Sequence, residues 1–205
     1  MKNASRFALS FAALLALLVG ANPAHALGQS TAKSTDATPP SYDLKPQALL
    51  DLQDLQKKFV SLAQAVPAEK YTWRPGPGVR SIAEVYLHIA GANFTITSDL
   101  GTMPAPTSAA QAKGYETSTT DKARIIDQLK QSFEYARAAI GKMSNADFKK
   151  PVKKYGPDAC EGDIVYLIVT HAHEHLGQSI AYARMNGVVP PWTAAAEAKA
   201  KGTKE

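Results

Sequence analysis

Three of the chain's five histidines fall within five residues, His171-Ala-His173-Glu-His175. Neutral imidazole is a good ligand for transition metals, so spacing decides which rings act together. Successive helical residues turn by roughly 100°, which sets His171 and His175 about 40° apart on one face, able to grip one ion. His173 stands about 200° from His171 and points elsewhere. His88 lies far upstream on another predicted helix, and a three-histidine site follows if the two helices face each other. Three protein ligands leave positions open for water or a small-molecule substrate, as in catalytic rather than closed structural sites. The donor set suits one divalent transition metal, with Zn, Ni, Fe and Cu all acceptable. No catalytic residue is assigned beyond the ligands, and no organic cofactor site is expected.

Neighbours of the pair have two readings each. Gln178, one turn beyond His175, either orients a bound ligand or makes a packing hydrogen bond. Gly177 is expected to admit a neighbouring helix or loop closely. Glu174 lies about 100° off His175 and is expected to face outward. Tyr86 and Tyr182 either line a pocket or sit at the core edge. His171-x-x-Glu174-His175 also has the form of inverted zinc peptidases. That reading needs a downstream carboxylate ligand, and only Glu197 and Glu205 follow.

Four amphipathic segments must position these residues. The first, from about Pro46 to Ala65, repeats Leu52, Leu55, Phe59 and Leu62 at three- and four-residue steps. Pro67 ends it, and the Pro- and Gly-rich stretch from Tyr71 to Val79 forbids regular structure. The second opens on the capping box Ser81-Ile-Ala-Glu84 and runs to about Leu100. Its apolar face carries Ile82, Val85, Ile89 and Phe94 or Ile96, and His88 lies beside that face. The third spans about Thr120 to Lys142, with Ile125, Leu129, Phe133, Ala136 and Ile140 as its stripe. The fourth, from about Gly162 to Met185, carries Ile164, Ile168, His171, His175, Gln178 and Tyr182 on one stripe. Its histidines thus occupy places where core residues are expected, and buried polar rings need partners. An all-α, compact four-helix bundle is the simplest solution.

The ends read differently. Lys2 and Arg6, the apolar run Phe7 to Val19, and Ala24-His25-Ala26 make a signal peptide over residues 1–26. The run is short for a membrane span of about 20 residues, so no stable membrane anchor is expected. The protein is expected to be periplasmic or secreted. Residues 27–43 read as a flexible leader, 44–192 as the folded domain and 193–205 as a flexible tail. Loss of Lys2 and Arg6 lowers the formal charge from +5 to +3. No basic cluster is interleaved with aromatics, which excludes nucleic acid as an expected partner. Cys160 is the only cysteine, so the core must stabilise the fold without an internal disulfide.

Two stretches carry a family resemblance. Trp73-Arg-Pro-Gly-Pro-Gly-Val-Arg-Ser-Ile-Ala-Glu-Val-Tyr-Leu-His88 resembles the second-helix signature of the DinB-like superfamily. His171-x-x-x-His175-x-Gly-Gln178, with Tyr182-Ala-Arg184 and Asn186-Gly187, resembles its last-helix signature. The resemblance implies an up-down-down-up four-helix bundle, often a homodimer. It implies a divalent metal held by His88, His171 and His175. It also implies chemistry of the kind seen in thiol S-transferases and a thiol-dependent isomerase, with a metal-dependent hydrolase as a further option. A non-enzymatic metal- or ligand-binding bundle is the alternative. The export signal sets this chain apart from the cytoplasmic thiol-using relatives.

Overall fold

The computed structural model describes residues 43–104 and 114–202, and every described regular element is helical. The signal-peptide expectation over 1–26 and the leader over 27–42 lie outside the described residues. The first helix, α1 (Leu44–Ala65), begins where Asp43, the last leader residue, caps it by accepting from the Lys45 N–H at 3.1 Å. It buries Leu52, Leu55, Phe59 and Leu62 on one stripe and stops at Ala65, two residues before Pro67, whose ring disfavours helical backbone at Val66.

Helix α2 (Ile82–Ser98) starts with the full capping box. The Ser81 hydroxyl accepts from the Glu84 N–H at 3.3 Å, and a Glu84 carboxylate oxygen accepts from the Ser81 N–H at 2.6 Å. The preceding loop satisfies two more orphan donors: the Ile82 and Ala83 N–H groups reach the carbonyls of Trp73 and Tyr71. Tyr71 is itself anchored by its hydroxyl to the Ala63 carbonyl at 2.7 Å. A loop without regular structure is therefore held firmly, and it delivers Trp73 and Arg80 to the start of α2.

Helix α3 (Lys122–Lys142) is capped by Asp121 and buries Ile125, Leu129, Phe133, Ala136 and Ile140. Helix α4 (Glu161–Met185) follows a segment with short 3-10 turns at Asp147–Lys149 and Lys153–Tyr155. Cys160 occupies its N-cap position, where Asp163 accepts from the Cys160 N–H at 2.8 Å. The helix ends in a Schellman motif: Gly187 takes φ 77°, its N–H reaches the Arg184 carbonyl, and the Val188 N–H reaches that of Ala183. Residues 193–202, expected as flexible tail, are instead helical within α5 (Pro191–Gly202). Pro191 suits a first helical turn, and the Ala-rich run that follows has high helix propensity. None of its residues is buried, consistent with the polar sequence.

Each of α1 and α2 packs against both α3 and α4, which leaves α1/α2 and α3/α4 as the diagonals. Pairings step the same way along α3 and along α2 with the segment just after it (Asn93 with Ser132, Thr102 with Ala139). They step opposite ways along α1 and α3 (Gln56 with Arg137, Gln64 with Lys122). One end of the core is aromatic: Phe59 lies 5.6 Å from Phe133 and 6.4 Å from Tyr86, which lies 5.9 Å from Tyr71. Such fully buried rings each contribute about 1.5–3 kcal/mol through removal from water. Tyr86 belongs to this core and does not line the cleft beside the histidines. No described helix is long and apolar enough to cross a membrane.

Candidate metal centre

Helices α2 and α4 face each other where their stripes turn polar, and the three expected rings meet there. Ligand-type nitrogens of His88, His171 and His175 all lie within 4.8 Å of one another. The ring centroids are 5.1 Å apart for His88 and His171, 4.6 Å for His88 and His175, and 4.6 Å for the α4 pair. The Nε2 atoms of His88 and His171 approach to 3.2 Å. Two imidazoles at Zn–N distances of 2.0–2.1 Å and a tetrahedral angle would stand about 3.3 Å apart, so the spacing suits ligation. His175 is buried, with 8% of its surface exposed, and the other two rings are half-buried. His173 and Glu174 are exposed, as helical phase requires.

Two ring nitrogens have partners that decide where the proton sits. The Gln178 Oε1 lies 2.7 Å from His175 Nδ1, and Gln178 Nε2 donates to the Tyr182 hydroxyl at 3.0 Å. Trp73 packs edge-on against Tyr182 at 5.5 Å. This chain orients the amide so that its oxygen accepts Nδ1–H and His175 Nε2 keeps its lone pair. Gln178 thus holds a histidine, the packing side of its two readings. Gly177 does not admit a close neighbour: it is exposed, and a Cβ there would meet nothing within 4 Å. Its position on the outward face of α4 accounts for this.

The partner of His88 is Glu116, which the sequence did not single out. It sits in a 3-10 turn, Tyr115–Thr117, entered through Gly114 at φ 89°. One Glu116 oxygen lies 2.6 Å from His88 Nδ1. Arg80 grips the carboxylate with two donors, Nε at 2.7 Å and Nη2 at 3.2 Å. No local pattern pairs Glu116 with a residue 28 positions upstream. Glu116 falls between the second and third predicted helices, where no period marks it.

Electrostatics favour neutral rings on α4. Burial, then the neighbouring His175 and His88, push His171 down from 6.5 to about 4. Burial likewise lowers His175, partly offset by Gln178. Burial would raise Glu116, but the hydrogen bonds from Arg80 and His88 outweigh it and hold the carboxyl below its ordinary range. Neutral imidazoles and an ionised outer carboxylate are the protonation states that metal ligation needs. The inverted peptidase arrangement is not formed among the described residues: Glu174 and Glu197 are both exposed, Glu205 lies outside the described residues, and the one carboxylate at the rings, Glu116, comes from upstream of His171.

Beside the rings lies a cleft of about 540 Å³ between the outer face of α2 and the Gly114–Thr117 turn. His88 and His171 line it, together with Gly91, Ala92 and Thr95 from α2 and Tyr115 from the turn.

A family model described as the DinB superfamily matches residues 51–179, a stretch that includes all three histidines. A crystal structure of a DinB-like protein from Bacillus cereus ATCC 10987 superposes with a TM-score of 0.61 at 16% identity, over 71% of this chain and 95% of that one. That likeness is one of fold. No curated protein matches the sequence.

Proposed function

This chain belongs to the DinB superfamily, and from that premise we propose that His88, His171 and His175 together hold one divalent transition metal. The observation that carries the reading is the convergence of three ring nitrogens from two helices, two of them oriented by outer partners. A bound ion of this kind supplies Lewis acidity, or lowers the pKa of a water or thiol it binds. The chain's own residues do the rest. Gln178 and Glu116 keep the Nδ1 protons, so the Nε2 lone pairs of His175 and His88 point inward. The cleft gives a small molecule access to the same rings. That access favours a substrate-binding centre over an ion that merely staples the helices, which would leave no open approach.

On this reading the protein is an exported metalloprotein, acting in the periplasm or outside the cell after loss of residues 1–26. Its reaction would be a metal-dependent hydrolysis or thiol S-transfer on a small molecule. One observation favours the second reading, a non-enzymatic metal- or ligand-binding bundle. Glu116, the ionisable side chain on the cleft wall nearest the rings, is already engaged by His88 and Arg80 and is not a free general base.

Elemental analysis of the purified mature protein tests the metal. About one transition metal per chain is expected, and His175→Ala should lose it; equal metal content in the variant would overturn the three-histidine site. Turnover in a hydrolase and thiol-transfer panel above a His88→Ala control would support the enzyme. A panel without turnover would favour the binding bundle.

A further inference from the structure

We infer that Glu116, clamped by Arg80, is a positioning residue that sets His88 as a metal ligand and ties one wall of the cleft to the ion. The inference rests on the three-histidine reading and adds to it a part from outside the helices.

An ionised carboxylate can only accept hydrogen bonds. With Glu116 Oε1 2.6 Å from His88 Nδ1, the ring must carry a proton there, and the neutral ring then presents a bare Nε2. That Nε2 faces His171 Nε2 at 3.2 Å, so the presented lone pair is directed into the cluster. An unconstrained neutral imidazole carries its proton mainly on Nε2, the wrong nitrogen for this geometry. Glu116 therefore reverses the ring's own preference. His175 receives the same service from Gln178 within its own helix; His88 receives it from a different segment of the chain.

The carboxylate cannot easily swing inward to become a ligand itself. Arg80 binds both of its oxygens in a planar fork, and His88 takes one of them as well. Arg80 sits on the anchored loop before α2, so the clamp joins that loop, the Tyr115–Thr117 turn and α2 at one point. Tyr115, Glu116 and Thr117 also line the cleft. One side chain thus fixes the ligand and the wall together. The competing account is an ion pair that only staples the turn to α2.

The two accounts separate in ¹⁵N-imidazole NMR of the metal-free protein at pH 8, read beside Zn(II) affinity from competition with a chromophoric chelator. Wild-type His88 should show the Nδ1–H tautomer. Glu116→Ala should move it towards Nε2–H while His175 stays unchanged, and should weaken Zn(II) binding about 10–100-fold. Glu116→Gln, which keeps a neutral acceptor, should fall between the two. A Glu116→Ala protein with a lowered Tm but wild-type tautomer and Zn(II) affinity would overturn the inference in favour of a staple. If Glu116→Ala does not fold, the wild-type spectrum decides: an Nε2–H tautomer at His88 overturns the inference. If the wild type binds no Zn(II), the three-histidine reading fails separately, because the tautomer is read without metal.

Discussion

The two halves of the histidine cluster are built by different means. On α4 everything is local: His171 and His175 are one turn apart, and Gln178 sits three residues beyond the ring it orients. On α2 the ligand is single, and its partner arrives from a turn 28 residues later, braced by an arginine from a loop before the helix. The α4 half is specified by helical period alone. The α2 half exists only once the chain has folded, so it depends on the packing of α2 and on the Gly114 turn. A site built this way joins a preformed pair of ligands to a third that the tertiary structure must supply.

Acid should break both halves, and it is the largest effect expected after removal of a ligand. Protons compete with the metal for imidazole, and an unperturbed histidine titrates near 6.5. His171 is held down to about 4 by burial and by its neighbours, so it stays available as a ligand well below neutrality. Metal should be fully retained at pH 7 and released as the pH falls from about 6.5 towards 4, measured by equilibrium dialysis against a chelator. The metal-free fold should weaken in the same direction. A histidine whose folded pKa lies below its unfolded value takes up its proton first in the unfolded chain, so stability falls with pH across that window. Metal retained unchanged at pH 4 would mean that imidazoles are not the principal ligands.

The same division marks what could be read without a structure. The bounds of α1 to α4 follow roughly from the Ser81 cap, from Pro67 and Gly187 as stops, and from apolar steps of three and four, while the Asp43 and Asp121 caps emerge only in the structure. His88, His171 and His175 followed from those stripes, because a histidine on or beside an apolar face asks for a partner. Glu116 and Arg80 could not follow, since a loop-to-helix ion pair has no period. Tyr86 was left between core and pocket because phase places a residue on a face but does not say which neighbours cover it. The helical 193–202 segment escaped for the opposite reason: its propensity is high, but it has no buried stripe to announce it.

Gln178→Leu sharpens the contrast between the halves. It removes the acceptor at His175 Nδ1 and the contact to Tyr182 while keeping a side chain of similar size. A neutral amide makes a hydrogen bond roughly half as strong as an ionised acceptor does. Zn(II) affinity should therefore fall less than for Glu116→Ala, by under about 10-fold on the scale of outer-partner losses. Helical geometry still holds His175 over His171 without the amide. A loss larger than that of Glu116→Ala would reverse the ranking and make the local half the more dependent on its outer partner.

The smallest effect expected belongs to the residue that sequence proximity makes most tempting. His173 lies between the two α4 ligands, yet it is exposed on the opposite face. No side-chain motion within a helix carries a residue across about 160° of turn, the angle between its direction and that of His175. His173→Ala should leave metal content, Zn(II) affinity and Tm at wild-type values, the last because exposed substitutions usually change stability by under about 0.5 kcal/mol. If His173→Ala lost metal, an ion would have to be held on the outer face of α4, and the inward site assembled with His88 would no longer account for the protein's metal.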